Sequence, residues 1–227
     1  MGKAELRTYG RTKGRTLKPR RARLLEARLP QIGLPAGRFD PGALAPSARE
    51  IWLEVGFGGG EHLAAQAARR PDALVLGAEP FVNGVAALLA RIESLRLENV
   101  RLHPGDARAL TGRLPDATLD RIFILFPDPW PKTRHWKRRL IEPGFLDEAA
   151  RTLKSGGRVR FATDWADYAN WALARFLEHG AFRWTAERAA DWRAPPIDHM
   201  TTRYQEKALG DCAPVWLEFV RTSRRAS

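Results

Sequence analysis

Phe126-Pro127-Asp128-Pro129-Trp130-Pro131-Lys132 fixes one carboxylate between two prolines and beside an indole. Proline locks φ and removes an amide donor, so the backbone around Asp128 is stiff. An acid beside an aromatic suits the reading of an unstacked base. The ring stacks, and the carboxylate accepts from N–H donors on the base edge. The competing reading is a proline-stiffened turn with a structural Trp. Next come Arg134, His135, Trp136, Lys137, Arg138 and Arg139. An exposed basic loop of this kind meets phosphates, or is merely solvated.

A second constellation is Glu54-Val55-Gly56-Phe57-Gly58-Gly59-Gly60, directly after an apolar run. Glycines there permit a tight turn and close backbone approach to a ligand. A dinucleotide fingerprint needs a third glycine at position 61, where Glu61 stands. Glu54 before the turn is a poor neighbour for pyrophosphate and a good one for a cationic amino-acid cofactor, S-adenosyl-L-methionine. Glu79 follows the second apolar run, where an acid accepts from ribose hydroxyls. Asp106, after the third, suits an exocyclic amine of adenine. Each acid taken singly also reads as a surface carboxylate or a helix cap.

These residues need a sheet to bring them together. Strands are expected at Ile51–Val55, Ala73–Ala78, Val100–Leu102, Leu119–Phe126, Val159–Ala162, Phe182–Ala186 and Val215–Val220. Helices are expected at His62–Arg69, Val82–Arg96, Pro143–Leu153, the last with Gly156-Gly157 past its end, and Trp165–Glu178. Strand and helix alternate, which predicts parallel βαβ units in a doubly wound α/β sheet, with the ligand at the strand carboxyl ends. Residues 1–48, rich in Arg, Pro and Gly, read as a basic N-terminal arm and linker, and 49–227 as the domain.

Lys and Arg number 38 and Asp and Glu 26 in 227 residues, a net charge of +12. Ten Lys/Arg against two Glu make residues 1–30 +8, and Lys132 to Arg139 adds +5, so the remainder is nearly neutral. A polyanion partner, nucleic acid first, is one reading of this excess, and a protein with a basic tail is the other. The arm itself reads either as a solvated tail or as an RNA-binding arm. One cysteine, Cys212, excludes an internal disulfide framework, and five scattered histidines give no zinc spacing. No apolar run is long enough for a membrane helix and no apolar signal core stands at the N-terminus, so a cytoplasmic protein is expected.

Glu54-Val-Gly-Phe-Gly, Gly77-Ala-Glu79, Gly105-Asp106-Ala, Pro127-Asp-Pro-Trp-Pro-Lys132, Arg134-His-Trp-Lys-Arg-Arg139, Thr163-Asp164 and Thr202-Arg-Tyr-Gln205 stand in this order. From about Ile51 onward the chain resembles the bacterial tRNA (guanine-N7-)-methyltransferases of single-subunit type. The resemblance implies a Rossmann-like class I S-adenosylmethionine-dependent methyltransferase fold and methyl transfer to N7 of the variable-loop guanosine conventionally numbered 46. It implies cofactor contacts from Glu54, Gly56, Gly58, Glu79, Asp106 and Asp128, with Asp128 also catalytic. Lys132, Asp164, Thr202, Arg203, Tyr204 and Gln205 are implied to bind the tRNA substrate, and Arg134 to Arg139 to meet RNA. The family usually has Glu where Gln205 stands. Either Asp128 or Asp164 is expected to grip the Watson–Crick edge of guanine. No obligatory protein partner is implied, and the chain is expected to be a monomer or homodimer. Three rivals are a small-molecule methyltransferase, a non-enzymatic RNA-binding module and a nicotinamide oxidoreductase.

Overall fold

Val, Ile, Leu and Phe run almost unbroken through the central strands, the pattern of strands buried on both faces of a parallel sheet. A computed structural model describes residues 8–10, 12–207 and 209–223. In chain order the elements are α1 (Pro19–Ala27), α2 (Leu29–Ile32), α3 (Pro41–Leu44), β1 (Glu50–Val55), α4 (Glu61–Arg69), β2 (Ala73–Ala78), α5 (Val82–Leu95), β3 (Val100–His103), α6 (Ala107–Thr111) and β4 (Leu119–Leu125). A 3-10 turn (Thr133–Arg138) follows, then α7 (Pro143–Thr152), β5 (Leu153–Thr163), α8 (Ala166–Glu178), β6 (Phe182–Trp184), α9 (Ala190–Arg193), α10 (Arg203–Glu206) and β7 (Val215–Arg221).

The strands form one sheet in the order β3-β2-β1-β4-β5-β7-β6. The chain leaves β1 toward one edge, then returns to place β4 on its other side, so the switch point lies between β1 and β4. Glu54 is level with Gly77 of β2 and Phe123 of β4, which brings three strand ends to one line. Side chains alternate between two cores. Leu53, Ile122 and Phe161 pack with α7 and α8 on one face, and Trp52, Phe123 and Val75 with α4 and α5 on the other.

The parallel βαβ pattern gives way at one edge. β7 runs antiparallel to both β5 and β6. Among the described residues between β6 and β7, the helices are the four-residue α9 and α10. That connection lacks the crossover helix that a parallel return needs. Gly156-Gly157 also sits differently from expectation. The helix passes directly into β5 at Leu153, and the glycines lie in an irregular stretch of that strand, where the register with β4 slips.

The segment read as arm and linker is docked along most of its described length. Leu24 and Ile32 are buried in the α4–α5 core, with Leu25 and Leu29 packed against it. Leu34 N donates to Leu102 O at the edge of β3. Arg20 pairs with Glu93 of α5 at 2.6 Å. The apolar set at 24, 25, 29 and 32 is a helical stripe that the surrounding Arg and Pro disguise. Lys3, Glu5, Arg7 and Arg11 lie outside the described residues. No helix among the described residues is long and apolar enough to cross a membrane.

Candidate active site

Two cavities open at the carboxyl ends of β1, β2 and β4. One, of about 230 Å³, is walled by Glu79, Asp106, Asp128, Trp130 and Arg138, with Tyr9 of the N-terminal segment at its side. The other, of about 740 Å³, is walled by Glu54, Gly58, Phe81, Arg91 and Tyr204. Gly56 and Phe126 line both.

The glycine turn is built by left-handed backbone. Gly56 and Gly58 have φ of +69° and +53°, and a Cβ on either would meet no protein atom within 4 Å. Both therefore face open space that a side chain would fill. Gly58 N donates to Glu79 Oε2 at 2.7 Å, and Phe81 N donates to Oε1 at 2.8 Å. Burial pushes the Glu79 carboxyl above its ordinary 4.5; the two amide bonds oppose the shift, and the charges of Asp128 and Glu54 add to it. Glu79 and Asp128 wall the smaller cavity and Glu54 the larger, with Gly56 lining both, so three acids flank the glycine turn in a chain of net charge +12. A cation placed among them relieves their repulsion, so these residues fit a cofactor carrying a sulfonium and an ammonium.

Glu54 is buried and bonded through Oε2 to His62 Nδ1 at 2.7 Å. Gln66 Nε2 lies 3.1 Å from His62 Nε2 and donates to Asp198 O at 2.7 Å. An amide NH₂ has two protons, so one serves each partner. His62 Nε2 is then the acceptor from Gln66, and Nδ1–H donates to Glu54 Oε2. Glu54 Oε1 has no protein partner among the described residues.

Asp106 caps α6 through Arg108 N and also takes Arg108 Nη2 at 2.6 Å and Thr8 Oγ1 at 3.0 Å. Burial pushes its carboxyl up, and the Arg108 bonds outweigh that and hold it below the ordinary aspartate value. Asp128 stands open to the smaller cavity, yet the surrounding walls displace enough water to raise its pKa. The residues two before and two after it, Phe126 and Trp130, hold φ of +52° and +44°. Left-handed backbone at a non-glycine residue costs about 1–2 kcal/mol. Packing holds Phe126 there: its ring lies 5.6 Å from Tyr204 and 5.7 Å from Trp216, and its amide donates to Ala162 O. Left-handed backbone at both ends thus brackets the segment that places Asp128 on the wall of the smaller cavity.

The sequence pattern of a family described as a putative methyltransferase matches residues 48–216. The tRNA (guanine-N(7)-)-methyltransferase of Caulobacter sp. (strain K31) is 60% identical over 216 residues, 95% of each chain. That of Hyphomonas neptunium is 50% identical over 94% of this chain and 99% of its own. The chain belongs to this methyltransferase family. The fold has solved counterparts. A 16S rRNA (adenine(1408)-N(1))-methyltransferase from Catenulisporales acidiphilia, determined with its cosubstrate SAM, superposes with a TM-score of 0.57. It is 18% identical over 85% of this chain and 98% of its own, a likeness of fold alone.

Within the family's basic loop the structure separates residues that the sequence groups. Lys132, Arg134 and Lys137 are exposed. His135 is half-buried, edge-on to Trp130, and desolvation and its cationic neighbours hold its pKa down. The Arg138 guanidinium lies over Trp130 and Tyr9 at 4.9 and 5.1 Å. Arg139 corrects the expectation of an RNA contact, being only 3% exposed. Its Nε donates to Pro129 O, its Nη2 pairs with Asp167, and Trp136, Tyr168 and Trp171 surround its guanidinium. Trp136 packs against Trp171 at 5.5 Å and belongs largely to the same cage.

Asp164 is buried at the end of β5, where Oδ1 accepts from Tyr204 at 3.4 Å. It does not cap α8. Ala166 N donates instead to Asp211, a residue that motif spacing missed. Thr202 and Gln205 close a capping box on α10, and Gln205 Oε1 also accepts from His199 Nε2 at 2.6 Å. That box accepts Glu or Gln equally, so Gln205 holds the segment in place and leaves Arg203 exposed beside the larger cavity. Sequence reasoning missed His62, Gln66, Asp198, His199 and Tyr9. The His62–Gln66 pair had a signal: two polar residues four apart on the face of α4 that buries Leu63 and Ala67.

Proposed function

We propose that this chain transfers a methyl group from S-adenosyl-L-methionine to N7 of a guanosine in tRNA, the variable-loop nucleotide numbered 46. The two cavities that share Gly56, one walled by Glu79 and Asp128 beside Trp130 and the other by Glu54, carry this reading. The family membership supports it. Labelled-methyl transfer to unmodified tRNA, followed by nucleoside analysis, tests it. Label in 7-methylguanosine is expected, and its absence from tRNA would sink the reading.

Glu54, Gly56, Gly58, Glu79, Asp106 and Asp128 would hold the cofactor. When bound, S-adenosyl-L-methionine supplies an electrophilic methyl on a positively charged sulfur. The protein need not remove a proton, because guanine N7 has none. Its residues act by orientation, which supplies several kcal/mol when the reacting atoms are held in line. Asp128 opens to the cavity, whereas Asp164 is buried and occupied by Tyr204. Asp128 is therefore the carboxylate assigned to guanine N1–H and N2–H. That edge lies opposite N7, so gripping it aims N7 at the methyl. Trp130 offers a stacking face for the extruded base. Asp164 fixes Tyr204 on Phe126. Lys132, Arg134, Lys137 and Arg203 meet tRNA phosphates, and no obligatory protein partner is required. A tRNA substrate places this work in the cytoplasm.

A further inference from the structure

The basic side chains of the N-terminal segment, the largest block of positive charge, have no role in the site described so far. Five Lys/Arg line the larger cavity; Arg20 pairs with Glu93 and Arg91 with Glu61, which leaves Arg21 on α1, and Arg203 and Lys207 in and just after α10. All three are exposed, and none has a side-chain partner among the described residues. The acids lining the same cavity are engaged, Glu54 with His62 and Glu61 with Arg91. The rim therefore carries three cations without side-chain partners among the described residues, above a floor that leads to Phe126 and Gly56.

Arg21 is delivered by an anchored element. Leu24 seats α1 in the core. Thr12 O accepts from Val82 N, and Asn83 exchanges hydrogen bonds with Gly14 N and Arg15 O, which clips residues 12–15 to the start of α5. A cation on a docked helix loses little conformational freedom on binding an anion, unlike one on a free tail.

We infer that α1 is one wall of the RNA entrance, with Arg21 opposite Lys207, and that the two hold phosphodiesters flanking the guanosine that enters toward Phe126. This rests on the tRNA reading above. A carboxylate, such as that of the cofactor, has the same anionic chemistry, so the test separates the two.

The full chain is assayed with unmodified tRNA over a series of KCl concentrations, as wild type, Arg21→Ala, Lys207→Ala and the double variant. Arg183→Ala, an exposed cation on the edge strand β6, is the control for net charge. S-adenosylmethionine affinity is measured in parallel by calorimetry. The double variant should raise KM for tRNA by about tenfold and flatten the log KM against log salt slope by about 1–2, since each phosphate contact contributes roughly 0.7–0.9. Arg183→Ala should match wild type, and cofactor Kd should stay within about twofold. An unchanged KM and slope in the double variant, an equal change in Arg183→Ala, or a weakened cofactor Kd with unaltered tRNA KM would each overturn the inference. A wild-type chain inactive on tRNA overturns the functional reading instead.

Discussion

Glu54 Oε2 and His62 Nδ1 lie 2.7 Å apart, both side chains buried, across the glycine turn that separates β1 from α4. The bond fixes the carboxylate at the wall of the larger cavity. His62→Phe removes the donor and keeps the ring volume. A lost hydrogen bond to a charged group is worth about 1.5–3 kcal/mol. S-adenosylmethionine Kd should therefore rise about tenfold or more by calorimetry, with tRNA affinity unchanged. His62→Asn keeps a donor near the Nδ1 position and should recover most of the affinity. Equal losses in both variants would show that the imidazole serves packing alone.

Asp128 is exposed and has no hydrogen-bond or ion-pair partner among the described residues, so its removal costs little stability. Asp128→Ala should lower methyl transfer by at least about 100-fold while the melting temperature moves by no more than about 2 °C. Full activity of this variant on tRNA would remove Asp128 from the catalytic centre.

Arg139 and Arg134 should behave oppositely. Arg139→Met removes a buried guanidinium from three aromatic rings, Pro129 O and Asp167. The expected loss is about 2–4 kcal/mol in denaturant unfolding, with no change in the salt slope of tRNA binding. Arg134→Ala should leave stability within about 0.5 kcal/mol and flatten that slope. A stable Arg139→Met chain with a flattened slope would return Arg139 to the RNA surface.

Glu79 gives the site a pH dependence. Its folded pKa is raised above 4.5, so the folded chain binds more protons than the unfolded chain in the window above 4.5. The Glu79 contribution to stability therefore falls as pH rises through that window, and Glu79→Gln should abolish this slope. A bound cation favours the ionised carboxylate, so cofactor affinity should rise with pH over the same range. Calorimetry from about pH 4.5 to 7 measures it. A flat affinity profile in wild type would show that Glu79 does not sense the cofactor's charge.

Much of this site is legible from spacing because the apolar runs are local. Ile51–Val55, Ala73–Ala78 and Leu119–Leu125 can be buried on both faces in only one kind of sheet, so the acids after them meet at its carboxyl edge. Asp128 is legible for a similar reason, since two prolines fix its backbone whatever packs around it.

Residues whose direction depends on distant partners are not legible in this way. Arg139 looks like its exposed neighbours until Asp167, Tyr168 and Trp171 arrive from α8 and enclose it. β7 shows its antiparallel course only when its partners β5 and β6 are in place. The positive φ of Phe126 and Trp130 is invisible in residues that prefer negative φ, because Tyr204, Trp216 and Arg138 hold them from elsewhere in the chain.

The sequence by itself determined the parallel strands of the sheet, the acids after them and the family. The tertiary structure alone decided which charges face outward and which stay in the interior. A strand's burial is written in its own period-two and apolar pattern, but a charged side chain's direction is settled by the partners that fold onto it from far along the chain.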